Sequence, residues 1–375
     1  LRLPTYLKIL VRIMPVLATL MLALVIAGVV DFAFFSLIFI LNLLAASLYL
    51  KESNKVHSVL SKKYDSLSSL SRLFETFGNE EFKSELLVKA SASLIKADKS
   101  AVAEIRRLGK ICQAFDTRLN VIAGVLLNGL LLWDFQCLLR VGKWKDETAK
   151  LLPEWLEKTG QADALISLAT HSYNNPDFIF PELTNGEPFI DCTSLGHPLI
   201  DNSTRVCNNF TLHKKGQICI ITGANMAGKS TFLRTVAINL ILGMAGTVVC
   251  AGKFKFKPVT LFTSMRTTDS LSSKESYFFA ELKRLKVLKE RMEAGSEVFF
   301  ILDEILKGTN STDKSNGSKL FLHKLASLTG TGLIATHDIS LGEMENDLPG
   351  IVINKCFETE IAGEDIRFDY ILREG

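Results

Sequence analysis

The sequence lacks paired cysteines. Its seven, at positions 112, 137, 192, 207, 219, 250 and 356, show no Cys-x-x-Cys spacing and no paired histidines nearby. That argues against a metal site, and an odd, scattered set does not form a disulfide framework. The expectation is reduced, mostly buried thiols of a cytosolic protein. Proline is scarce, at nine residues, and the glycines follow no period, so collagen-like and proline-rich architectures are excluded. An excess of one charge sign is missing too. Forty-three basic residues against 40 acidic give a formal charge of +3, far from the cationic signature of a nucleic-acid coat protein. What is present is 47% hydrophobic residues over 375 positions. That is enough for two or three domains with sizeable cores and too much for wholesale disorder.

Mean hydropathy is +0.23, high for a soluble chain, and the excess sits at the front. Residues 13–30 and 32–50 carry no charge, and Asp31 is the only charge between them. Each run has about the 17–25 residues a helix needs to cross a bilayer. Arg2, Lys8 and Arg12 flank one end of the pair, and Lys51 and Lys55 the other. The positive-inside rule keeps both ends cytoplasmic, which predicts a transmembrane helical hairpin over 1–50 with a tight outer turn. A cleaved signal peptide fits less well, because no small-residue cleavage pattern comes after the first run. The alternative of a long buried core helix also stands against the hairpin. The chain opens on Leu1 rather than Met and closes on Arg373-Glu374-Gly375, as a piece of a longer protein would.

From 51 to about 172 the periodicity is helical. Val56, Val59, Leu60, Leu67, Leu70, Leu73, Phe74 and Phe77 recur three, four or seven apart, and a second stripe runs from Leu86 to Ile111. Between 51 and 110 there are 12 basic and 8 acidic residues, either a weak DNA-facing surface or a solvated helix face. Residues 119–133 form another uncharged stretch, short for a span and expected to be a buried core helix. Prolines 176, 181, 188 and 198 then punctuate a loop and strand region that marks a domain boundary.

The chemistry lies in the C-terminal half. A β-branched run, Gln217 to Thr222, leads directly into Gly223-Ala224-Asn225-Met226-Ala227-Gly228-Lys229-Ser230-Thr231, and a helical pattern starts at Phe232. This is the strand, G-x-x-x-x-G-K-[ST] loop and helix of a phosphate-binding loop. Its glycines let backbone N–H groups turn toward phosphates, and the helix N-terminus adds partial positive charge. Lys229 is suited to the β- and γ-phosphates of ATP, and the Ser230 hydroxyl to Mg²⁺. A second apolar run, Val298 to Leu302, ends in Asp303-Glu304. At a buried strand's carboxyl end, Asp303 is suited to hold Mg²⁺ through water and Glu304 to orient or deprotonate the attacking water. A third strand, Gly332 to Thr336, ends in His337-Asp338, where His337 is placed to sense a γ-phosphate. A lone histidine is otherwise more often structural.

These residues resemble a specific family. The phosphate loop, with its Asn225-Met226, is similar to that of MutS, the DNA mismatch repair ATPases, with Ala224 and Ala227 where the family usually has Pro and Gly. Asp303 through Asp313 resembles the MutS acidic strand and the loop after it, and Ala335-Thr336-His337 its histidine switch. The segment from Phe262 through Asp269 and Ser276 to Glu281 resembles the one carrying the serine that completes the partner's site. His197-Pro198 resembles the entry to the ATPase domain, and Phe368 to Leu372 a strand near its end. The resemblance implies an α/β P-loop NTPase domain of ABC type over 191–375. Preceding it would be an all-α core/lever-like domain over 51–190 and the hairpin over 1–50. It further implies a homodimer that sandwiches two nucleotides, with Ser276 capping the γ-phosphate across the interface and Asp313 nearby. An N-terminal helix cap is the other role open to Ser276.

One departure bears on function. The Phe-x-Glu triplet Phe279-Ala280-Glu281 lies in the partner-capping segment and not in a mismatch-reading domain. Two expectations stand side by side. One is a membrane-tethered ATPase, its ATPase domain on the cytoplasmic side, closing as a clamp on mismatched or branched DNA. The other is the same ATPase coupling dimer closure to membrane or protein partners without mismatch recognition.

Overall fold

The computed structural model describes residues 5–95, 100–187, 189–265, 277–306, 311–362 and 365–375. The chain divides into two compact units, Leu1–Ile166 and Ser167–Gly375.

The first unit is helical. Helix α1 (Thr5–Ile26) contains Pro15, and α2 (Phe32–Leu48) comes after a short turn through Gly28, whose φ is +74°. Asp31, the lone charge between the apolar runs, caps α2 by accepting a hydrogen bond from the Ala33 N–H at 2.7 Å. The helices thus cover 5–26 and 32–48, where the uncharged runs span 13–30 and 32–50. Hydropathy marks which residues suit an apolar medium, and capping decides where a helix begins. Helix α1 is long and apolar enough to cross a membrane. Helix α2 is followed by a 61° bend into α3 (Leu50–Asn79).

Next come α4 (Glu85–Ile95), α5 (Ala101–Asp116), α6 (Val121–Leu131), α7 (Trp133–Thr148) and α8 (Leu152–Asn174). The amphipathic α3 buries Phe74 and Phe77 with Ala90, Leu94, Ile105 and Trp155. A second cluster joins Leu7 and Val11 of α1 to Phe115, Leu132, Phe135 and Leu138. Leu7 and Val11 thereby tie α1 to the helices that come after it in this unit.

Helix α6 is not the buried core helix expected over 119–133. Val121 and Ile122 are 76% and 74% exposed, and Val125 and Leu126 are exposed beside them. Eleven residues make only about 16 Å of helix, and its opposite face alone is held, by α1 and α2. There Asn42 donates to the Gly129 carbonyl at 2.8 Å. Beneath α6 lies a buried polar cluster. Arg118 and Asp134 form a 2.8 Å ion pair with side chains 8% and 5% exposed, and Ser53 and Asn128 donate to the same carboxylate. A buried carboxylate is tolerated because an opposite charge and hydrogen bonds surround it.

The second unit is an α/β domain. It opens with β1 (Glu182–Leu183), β2 (Ile190–Leu195), β3 (Asn208–Leu212), β4 (Ile218–Gly223), α9 (Lys229–Met244), β5 (Lys253–Phe256) and β6 (Thr260–Ser264). Then come α10 (Tyr277–Glu293), β7 (Val298–Asp303), α11 (Ser311–Ser327), β8 (Thr331–Ala335), the short α12 (Ile339–Gly342) and α13 (Met344–Asp347), β9 (Val352–Ala362) and β10 (Asp365–Glu374). Six strands form a sheet of order β10-β9-β4-β8-β7-β6, parallel except for the β10 edge, and a second sheet runs β1-β5-β2-β3. Strand side chains alternate between faces. Cys219, Ile221, Phe299, Ile301, Leu333 and Ala335 therefore pack on one side with α9 and the second sheet. Ile218, Ile220, Phe300, Leu302 and Ile334 pack on the other with α10 and α11. Burial on both faces explains why these strands read as unbroken apolar runs.

The unit boundary falls at 166/167, ahead of the sequence-based 190/191. The proline-rich segment belongs to the sheets: Ile179 bridges Val249, β1 pairs with β5, and Thr247 donates to the Leu168 carbonyl. All seven cysteines are free thiols. Burial pushes Cys112 up to about 11 and Cys192 up to about 12, so neither is a ready thiolate.

Candidate functional site

Register brings the site together. Ile221 of β4 pairs with Ala335 of β8, and Ala335 pairs with Asp303 of β7. The three strands therefore end level, and the loops that leave them emerge at one edge of the sheet, where ligands bind in open α/β folds. The Glu304 N–H donates to the Ala335 carbonyl and the Thr336 N–H to the Ile221 carbonyl, which extends the alignment past the strand ends.

After β4 the loop turns on two glycines that no other residue replaces easily. Gly223 has φ +142° and a Cβ there would sit 2.5 Å from the Phe357 carbonyl oxygen; Gly228 has φ +108° and a Cβ there would sit 3.0 Å from the Tyr370 ring. Met226 also adopts positive φ, at +68°. Helix α9 starts at Lys229, so its first N–H groups lack helical partners. The Lys229 ammonium donates to the Gly223 and Ala224 carbonyls, both at 2.6 Å. Ser230 Oγ donates to Asp303 Oδ1 at 3.0 Å, joining the loop to the acidic strand end.

Asn225, Met226, Gly228, Lys229, Ser230, Thr231, Asp303, Glu304 and His337 all line one cavity of about 630 Å³. Gly223 and Ala224 serve it indirectly, through the carbonyls that seat Lys229. Ala227 is buried in the core instead. Ser276 lies outside the described residues, so the structure gives no position for the expected cap.

Glu304 has φ +60°, an uncommon conformation for a residue with a side chain, and it aims the carboxylate at its neighbours. His337 Nδ1 meets Glu304 Oε1, and Lys314 Nζ lies 2.9 Å from the same oxygen and 3.5 Å from His337 Nε2. The loop beyond is held by α10, where Glu281 accepts from the Leu306 N–H at 2.8 Å. Asp338 steadies the turn after His337 by accepting from the Ser340 N–H. Burial opposes ionisation of that carboxyl, but hydrogen bonds from Ser340 and Ser315 outweigh it and hold it below the usual carboxylate range. His197 stands on the cavity wall, and burial, aided by nearby Arg234, keeps its imidazole below the usual histidine range.

The donor set fits a magnesium nucleotide. A neutral hydroxyl beside a carboxylate supplies hard oxygen ligands, and the lysine and glycine loop supply a phosphate cradle. Among the described residues no cluster of histidine, cysteine and carboxylates forms a separate metal site.

Sequence reasoning missed several wall residues, among them Ile200, Thr204, Val206, Asn208 and Tyr370. Tyr370 reaches the loop because Asn208 clasps the irregular β10, donating to the Tyr370 carbonyl and accepting from the Leu372 N–H. No local pattern signals that contact, which spans about 160 residues. Lys314 was missed too, although it comes directly after Asp313, the last residue of the segment that resembles MutS.

Residues 219–375 match the family described as MutS domain V. The DNA mismatch repair protein MutS of Lachnoclostridium phytofermentans is 33% identical over 232 residues, covering 59% of this chain and 24% of that protein. MutS of Acetivibrio thermocellus is 34% identical over 221 residues, 57% of this chain and 25% of its own length. MutS of Aquifex pyrophilus is 30% identical over 287 residues, 76% and 32% respectively. The chain thus spans about a quarter to a third of the length of these curated relatives. The matched segment holds the phosphate loop, the strand-end acids, His337 and Tyr370. Match and chemistry agree on an ATPase domain, α/β in build and preceded by a helical region.

The two kinds of site residue should fail differently. Lys229→Ala removes a phosphate contact and should weaken nucleotide binding, read by equilibrium titration with a fluorescent ATP analogue. Glu304→Gln should bind the analogue as wild type does while turnover falls by about a hundredfold or more. Unchanged turnover in Glu304→Gln would remove that carboxylate as the catalytic group.

Proposed function

We propose that this protein is a membrane-anchored, MutS-like ATPase that hydrolyses ATP in composite sites of a homodimer and uses the closure as a clamp on mismatched or branched DNA. The observation that carries the ATPase part is the Ser230–Asp303 hydrogen bond within a cavity that Lys229, Glu304 and His337 share. Lys229 would exchange the Gly223 and Ala224 carbonyls for β- and γ-phosphate oxygens, a like-for-like swap of acceptors. Ser230 and Asp303 would hold Mg²⁺, which when bound supplies positive charge to the phosphate oxygens. Glu304 orients a water and accepts its proton, and His337, hydrogen-bonded to that carboxylate, reports whether the γ position is filled. Ser276 would complete the partner's site.

DNA enters this reading from the MutS likeness and from the net basic charge over 51–110. A second reading keeps the ATPase and replaces DNA with membrane or protein partners. It is favoured by the absence of a strongly basic composition and by the front of the chain. Membrane anchoring rests on α1, whose length and composition suit a span, and on the exposed Ile13, Val16, Leu20, Phe34, Leu37 and Leu41 of α1 and α2. Lys8, Arg12, Lys51 and Lys55 would keep the ATPase domain on the cytoplasmic side.

A salt titration separates the readings. DNA binding by the detergent-solubilised protein should weaken steeply between 50 and 200 mM salt, by roughly 10³-fold for about six phosphate contacts. No measurable binding at the low-salt end favours the partner reading. For the anchor, the protein should stay in the membrane pellet through carbonate and high-salt washes, and release by either would end the hairpin assignment. For the composite site, mixing Lys229→Ala and Ser276→Arg protomers should recover part of the ATPase rate, because each heterodimer keeps one intact site. Verified heterodimers without any recovery would remove the shared-site arrangement.

A further inference from the structure

We infer that Lys314 is a positioning residue for ATP hydrolysis: from the first turn of α11 it locks Glu304 and His337 into one hydrogen-bonded unit. Lys314 itself is not on the cavity wall, whereas both of its partners are. It therefore acts through them, and the inference rests on the ATPase reading of that cavity.

Three observations carry it. The first is placement. A cation in the first turn of a helix opposes the positive end of the helix dipole, so Lys314 is not there to stabilise α11. Its side chain is 14% exposed, and an ammonium so withdrawn from water needs a counter-charge. The Glu304 carboxylate, 2.9 Å away, provides it.

The second is the direction of the hydrogen bonds. An ammonium has donors and no acceptor. With Lys314 Nζ 3.5 Å from His337 Nε2, that nitrogen is the acceptor, which leaves the ring proton on Nδ1. Nδ1 is the atom that meets Glu304 Oε1. Lys314 and the Glu304 carboxylate therefore favour the same tautomer, the one that donates to the base.

The third is convergence. Lys314 and His337 both direct a donor at Oε1 of Glu304, so the plane of the carboxylate is set from two sides. Glu304 sits on a strained backbone at φ +60°, and a side chain aimed from a strained turn has its direction set by such neighbours. Without Lys314 the carboxylate loses a cation and a directed donor at Oε1, and His337 loses the donor at Nε2.

The test uses the full chain in detergent with Lys314→Met, Lys314→Arg, Glu304→Gln and the double variant Lys314→Met/Glu304→Gln. Lys314→Met should lower kcat by about ten- to a hundredfold, the range a misplaced catalytic group costs. KM and the affinity for a fluorescent ATP analogue should stay within about twofold of wild type, which also shows that the fold is intact. Lys314→Arg, which keeps the charge and the donors, should recover most of the rate. In the Glu304→Gln background, Lys314→Met should cost less than about twofold more, because the residue it positions is already lost. An unchanged or raised kcat in Lys314→Met overturns the proposal, and so does a loss of nucleotide affinity in step with the rate. A fully active Glu304→Gln removes the base and the proposal with it. That result is distinct from a failure of Lys314 alone, in which Glu304→Gln is inactive and Lys314→Met is not.

Discussion

The parallel register of β4, β8 and β7 is the constraint on which the ATPase domain depends. Pairing Ile221 with Ala335, and Ala335 with Asp303, levels three strand ends to within one residue. A slip of one residue in any strand would turn its apolar set to the wrong face and move its terminal chemistry along the sheet by about 3.3 Å. The two cores resist such a slip because they draw on alternate residues of the same strands. Packing on the two faces thus fixes the distance between Ser230 and Asp303, far from either residue's own contacts.

Around that level edge the backbone departs from relaxed geometry where chemistry is placed. Gly223, Met226, Gly228, Glu304 and Tyr370 all have positive φ, and all line the cavity except Gly223, whose carbonyl seats Lys229. Glycine adopts such angles readily, whereas the other three need neighbours to hold them there. Asn208 does so for Tyr370, and the hydrogen bond from the Glu304 N–H to Ala335 contributes for Glu304. The resting positions also matter. Lys229 rests on loop carbonyls and Glu304 on Lys314 and His337, so the site holds its charges paired within the protein.

The helical unit solves a different problem. Its front is apolar on surfaces that the protein leaves exposed, yet beneath α6 lie the Arg118–Asp134 ion pair and the side chains of Ser53 and Asn128. Removing one member of such a buried cluster leaves the rest uncompensated, whereas an apolar mismatch at the exposed faces costs little in contacts. The polar cluster thus specifies how α3, α6 and α7 meet, while the apolar faces set the medium they suit.

Much of this was legible in the chain because it is written in local spacing. The phosphate loop, Asp303-Glu304 and His337 each sit at the end of an apolar run, and the dipole, glycine and strand-end arguments need only adjacent residues. The helical character of the middle came from three- and four-residue periodicity. Contacts between distant residues were not legible. The exposure of Val121 and Ile122, the end of α1 at Ile26, the unit boundary at 166/167, the reach of Tyr370 over Gly228 and the link from Lys314 to Glu304 all depend on what packs opposite. Spacing along the chain reports which face a residue shares with its neighbours, and only the folded sheet and bundle decide which distant face it meets.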